Sequence, residues 1–127
     1  MSAPGVDPQI EPAAVARFIF EKGHLFDGGG ARWTAFEPSR RDNTTSVFVT
    51  DGLNSADIWT LADTTRPQRS IARAMLVPAD VRSSRLDLEI DNDPPRHAAI
   101  IGWPAEKSEI KALAQLLAAK ASVARRI

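Results

Sequence analysis

Residues 86–91 (LDLEID) alternate apolar and acidic side chains without a break, and Pro94-Pro95 ends the run before a second apolar stretch, HAAII, at residues 97–101. A period of two is the spacing of a strand buried on one face only. Leu86, Leu88 and Ile90 turn inward, and Asp87, Glu89 and Asp91 turn toward solvent. Gly102-Trp103-Pro104 then leads into a segment where Ile110, Leu113, Ala114, Leu117 and Ala121 recur at helical spacing, with Pro104 suited to its first turn. A strand with one apolar face and a helix with one apolar stripe must cover each other. The expected class is α+β: a small three- to four-stranded sheet with a C-terminal amphipathic helix packed on it.

The remaining elements follow from local pattern. Residues 1–12 carry Pro4, Gly5, Pro8 and Pro12 and predict a flexible arm, leaving 13–127 as a single domain. Residues 13–22 (AAVARFIFEK), between Pro12 and Gly23, predict a short helix, although the Arg17–Phe18–Ile19 core of that stretch is also strand-like. Residues 23–45 are irregular, with Asp27-Gly28-Gly29-Gly30 as a loop. Residues 46–50 (SVFVT) form a strand, and Asn54 caps a helix reaching Asp63. A strand over residues 71–77 and a short helix opened by Pro78 precede the alternating run.

A chain of 127 residues suffices for one core without staples. It holds no cysteine, which excludes disulfides, thiolate metal sites and a Cys nucleophile. No secretory signal is visible and no apolar run is long enough to span a bilayer, so the expected location is cytoplasmic. The 16 basic and 16 acidic residues balance, which argues against a protein built around phosphate-backbone attraction. They are segregated, however: an arginine-rich block at residues 64–85 faces an acidic block at 86–93.

Three sites compete. Asp87, Glu89, Asp91, Arg96, His97 and Trp103 make up a charged patch with an aromatic anchor, suited to contact with another protein. His97 beside Asp91, Asp93 or Glu89 is an acid–base pair suited to hydrolysis. Arg66, Arg69, Arg73, Arg82 and Arg85 would meet nucleic acid if they shared one face. Three carboxylates on one strand also suit a divalent cation, but Pro94 and Pro95 break a calcium loop, and His24 and His97 lack zinc-ligand spacing. No metal site or cofactor motif is expected. Asp27–Arg32 lacks the spacing of a phosphate loop, and no Gly-x-Ser-x-Gly elbow is present.

The segments SVFVTDGLNSADIWTLAD and PPRHAAIIGWPAEKSEIKALAQLLAAKA resemble a set of small bacterial proteins that carry H-A-x-I-x-G-W-P before an alanine-rich helix. The resemblance covers residues 45–121, implies a single small bacterial domain and brings no catalytic residue with it. The expected function is a non-enzymatic protein-binding module, such as an adaptor, accessory subunit or inhibitor- or immunity-type protein. The alternative is a small hydrolase using His97, and the third reading is nucleic-acid binding.

Overall fold

The computed structural model describes residues 4–127. Six strands occur in chain order: β1 (Val15–Ile19), β2 (Thr45–Val49), β3 (Ala72–Leu76), β4 (Asp87–Ile90), β5 (His97–Ile101) and β6 (Ser122–Arg125). The helices are α1 (Ser55–Asp63), α2 (Pro78–Ser83) and α3 (Lys107–Lys120), and two 3-10 turns, Lys22–His24 and Trp33–Phe36, lie between β1 and β2. The strands form one sheet in the order β4-β5-β2-β1-β3-β6, and every neighbouring pair is antiparallel.

The class is α+β, but the expected three- to four-stranded sheet is overturned by these six strands. Two strands account for the difference. Residues 15–19, expected as a helix, form a strand at the heart of the sheet. Val15 and Ile19 pack on the α3 side while Ala16 and Phe18 pack on the α1 side. A strand buried on both faces loses its alternation and reads as a continuous apolar run, which is why helix and strand were indistinguishable there. β6 is a four-residue edge strand beside β3, too short to leave a pattern of its own. A smaller difference concerns Pro104: α3 starts at Lys107, so the proline lies in the connection before it.

One face of the sheet is covered by α2, α3 and the Trp33–Phe36 turn, around Phe36, Ile19, Ile100 and Leu117. The other is covered only in part, by α1, whose Ile58, Leu61 and Ala62 rest on Ala16, Phe18 and Phe48. Helix α1 starts where expected, with Asn54 Oδ1 accepting from the Asp57 amide at 2.8 Å. Its last residue, Asp63, takes a bidentate pair from Arg126 at 2.7 and 3.0 Å, and the Arg126 and Arg73 guanidiniums both lie against Trp59.

At the other end, the N-terminal segment is tied to the connection between β4 and β5. The Val6 amide donates to Asn92 Oδ1, and Asn92 Nδ2 donates to the Val6 carbonyl, at 2.9 and 2.6 Å. Residues 1–3 of the expected arm lie outside the described residues. Among the described residues, no helix is long and apolar enough to cross a membrane.

Adjacent leucines test the covering of the α3 face. Leu117 is 0% exposed and Leu116 47%. We expect Leu117→Ala to cost about 2–5 kcal/mol in urea unfolding and Leu116→Ala less than about 0.5 kcal/mol. The Asp63 pair sets an acid response. The hydrogen bond from Arg126 holds the Asp63 carboxyl below its usual range. Its contribution is therefore complete above the unfolded carboxylate value of about 3.9 and is lost as pH falls through the lower folded value. In acid titrations, Asp63→Asn should be less stable than the parent near neutrality, with the gap closing below pH about 4.

Candidate functional site

Strands β1 and β2 pair only at Val15↔Val49 and Ala16↔Phe48. Beyond that point β1 continues on β3, and β2 continues on β5. The sheet parts between them, and strand edges so exposed leave backbone groups without ladder partners. Arg17 occupies the opening. Its Nε–H donates to the Ala35 carbonyl at 2.8 Å, and Nη1 donates to the Ser46 carbonyl at 2.9 Å. Burial pushes the Arg17 guanidinium down to about 10, with the charge of Arg66 adding to the effect.

The parting opens into a cleft of about 590 Å³ on the α1 face of the sheet. Its floor holds Phe18, Ser46, Phe48 and His97. One wall comes from Thr64, Thr65 and Arg66 after α1, and the other from the loop carrying Glu37, Ser39, Arg41, Asp42 and Thr44. Phe18 stacks on Phe48 at 5.6 Å between ring centres, and Phe48 meets the His97 ring edge-on at 5.3 Å.

His97 joins two partners. Its Nδ1 lies 2.7 Å from Asp91 Oδ1 and its Nε2 lies 3.1 Å from Ser46 Oγ. A carboxylate only accepts, so the proton belongs on Nδ1, and neutral His97 then offers Nε2 to the Ser46 hydroxyl as acceptor. Local structure aligns the first contact. Asp91 directly follows β4 and His97 begins β5, and the Asp91 and Asn92 amides both donate to the His97 carbonyl. Register aligns the second. Phe48 stands opposite His97 and Ser46 opposite Ala99, so Ser46 and His97 are diagonal neighbours on one face. The result is a Ser46–His97–Asp91 chain whose serine is exposed to the cleft. Its parts suffice for a nucleophile, a base and a group that orients the base.

The other sequence-predicted residues are elsewhere. Asp93 is exposed, and its amide donates to Asp91 Oδ1 at 3.1 Å. Glu89 is exposed on the same face as His97, opposite Ala99. Asp87 accepts from its neighbour's amide, Leu88, and from Arg82, and both hold its carboxyl below the usual range.

Trp103 is only 5% exposed, with Nε1–H donating to the Ile100 carbonyl, and Arg96 only 6%. As folded, neither presents a face to a partner, so the six residues read as a contact patch do not form one surface. Arg96 is an internal clamp. Its backbone is left-handed at φ 73°, and its guanidinium donates to the carbonyls of Pro4, Val49 and Asp51.

The arginine series is scattered over both layers. Arg66 lines the cleft and Arg73 lies on Trp59 beside α1, whereas Arg82, on α2 across the sheet, pairs with Glu11 and Asp87. These arginines do not form the continuous face that nucleic acid requires.

Ser46 and Arg17 are not among the site residues expected from sequence, and Arg66 is expected there only as part of the nucleic-acid series. Only Arg17 left a signal: a charge inside an otherwise apolar run, VARFI. Among the described residues, no group of three potential ligands is placed to hold a metal ion. No family model, curated protein or solved structure matches the chain.

The Arg96 clamp makes a stability prediction. Arg96→Ala orphans three carbonyls and should cost about 3 kcal/mol in chemical denaturation. Arg96→Gly, which relaxes the positive φ, should recover only about 1 kcal/mol of that loss.

Proposed function

We propose that the protein is a small hydrolase in which Ser46 is the nucleophile, His97 the general base and Asp91 the residue that orients it. The continuous hydrogen-bonded chain from Ser46 Oγ through His97 to Asp91, open to a cleft, carries this reading. In the step it implies, Ser46 Oγ attacks an electrophilic carbon or phosphorus of an ester, and His97 Nε2 takes the hydroxyl proton. His97 then returns that proton to the departing alkoxide. Water, deprotonated by the same nitrogen, releases the acylated or phosphorylated serine. Arg17 stands beside the nucleophile, bonded to the Ser46 carbonyl, and supplies positive charge where negative charge develops.

The cleft volume supports this reading, since about 590 Å³ lies within the range of small-molecule sites. The interior positions of Arg96 and Trp103 weigh against a contact-surface reading, which would need both outside.

A fluorophosphonate probe tests the proposal without knowledge of the substrate. We expect it to label Ser46, with the adduct located by peptide mass spectrometry, and Ser46→Ala to remove the label. His97→Gln should slow labelling by about 10²–10⁴-fold while circular dichroism stays unchanged. A folded protein that leaves Ser46 unlabelled, or labelling indifferent to His97→Gln, would overturn it.

A further inference from the structure

The cleft of the proposed hydrolase also holds a charge arrangement that the Ser46–His97–Asp91 chain does not use. Arg17 and Arg66 line the same cavity, and among the described residues neither forms an ion pair. Two guanidiniums in one cleft repel each other and raise the cost of the empty site. The repulsion is felt at Arg17, where Arg66 acts with burial to disfavour the charged form.

Both side chains are also held with donors to spare. Arg17 spends Nε–H and one Nη1 hydrogen on Ala35 and Ser46. Nη2 has no protein partner among the described residues, and Arg17 lines the cleft. Arg66 lies with its guanidinium 4.6 Å from the centre of the Phe20 ring. Stacking occupies the face of a guanidinium and leaves its N–H edge free. A third arginine, Arg41, stands at the rim. The acids of the cleft are Glu37, exposed on the loop, and Asp42, whose carboxylate already accepts from the amide and hydroxyl of Thr44.

We infer that Arg17 and Arg66 form a phosphate subsite and that the cleft takes a phosphate ester of a small organic molecule, its phosphoryl group between the two guanidiniums. A phosphate dianion matches two planar, always-charged forks better than a carboxylate does, because it carries more charge and offers oxygens to both. The phenyl rings of Phe18, Phe20 and Phe48 give the organic part an apolar wall beside the oxygen of Ser46. This inference rests on the hydrolase reading only for the fate of the bound ester; binding itself is separate.

Phenyl phosphate, with phenol as its uncharged counterpart, is the probe. In ¹⁵N NMR titrations we expect phenyl phosphate to shift the Arg17 and Arg66 side-chain signals saturably, and phenol to leave them in place. High salt should weaken the binding. Arg66→Gln, an exposed position, should lower affinity about tenfold or more, consistent with loss of a charge-assisted contact. Arg69→Gln, on the same loop but bonded to the Ile127 carbonyl, should leave it unchanged.

No shift at millimolar phenyl phosphate, or equal affinity in the parent and Arg66→Gln, would overturn the subsite. Fluorophosphonate labelling of Ser46 without phosphate binding would remove the subsite and keep the hydrolase. Phosphate binding without labelling would keep the subsite and remove the nucleophile.

Discussion

The register of β2 against β5 is the constraint on which the rest of the structure depends. Val47 opposite Ala98 and Thr45 opposite Ile100 turn their side chains into the core beneath α3, while Phe48, Ser46 and His97 are turned to the opposite face. Because strand side chains alternate, a slip of one residue would bury Ser46 and expose Val47. The same apolar packing that makes the slip costly therefore also fixes the distance between Ser46 Oγ and His97 Nε2. The site is held by the core, with no dedicated device of its own.

The parting of β1 from β2 is the second consequence of sheet geometry. Strands β1 and β2 share only two paired positions before each follows its other neighbour, and the sheet opens between them beside the Phe18 and Phe48 rings that α1 packs on. Arg17 makes the opening tolerable by donating across it to the Ser46 carbonyl of β2 and to the Ala35 carbonyl of the Trp33–Phe36 turn. An apolar residue there would leave those carbonyls without the donors they now have, and a lysine would lack the fixed fork that reaches both. One side chain thus serves the fold and also lines the cleft. Arg96 shows the contrasting use of a buried arginine: three carbonyl partners, no cleft, and a purely architectural role.

Legibility followed sequence separation. Asp91 and His97 lie six residues apart across a proline turn, so their contact was readable from the hairpin they flank. Ser46 is 51 residues from His97, and no local period records which strand β5 will join. Arg96 and Trp103 were misread for a related reason. Their types suggest a contact surface, but exposure is a property of the packed molecule, and here one clamps a turn and the other fills the core. Residues 15–19 were misread because burial on both faces erases the alternation that identifies a strand.

The sequence by itself determined the local elements: the alternating strand at 87–90, the Asn54-capped helix, the Pro78 helix and the apolar stripe of α3. Each is set by interactions within a few residues, namely side-chain period, capping hydrogen bonds and the fixed φ of proline. The tertiary structure decided the number of strands, their order, the central place of β1 and the opening beside Arg17. Those depend on backbone pairing between segments far apart in the chain, and pairing energy is shared by nearly every apolar strand. Only the simultaneous burial of both faces selects one arrangement, and with it brings Ser46, His97 and Asp91 into one hydrogen-bonded chain.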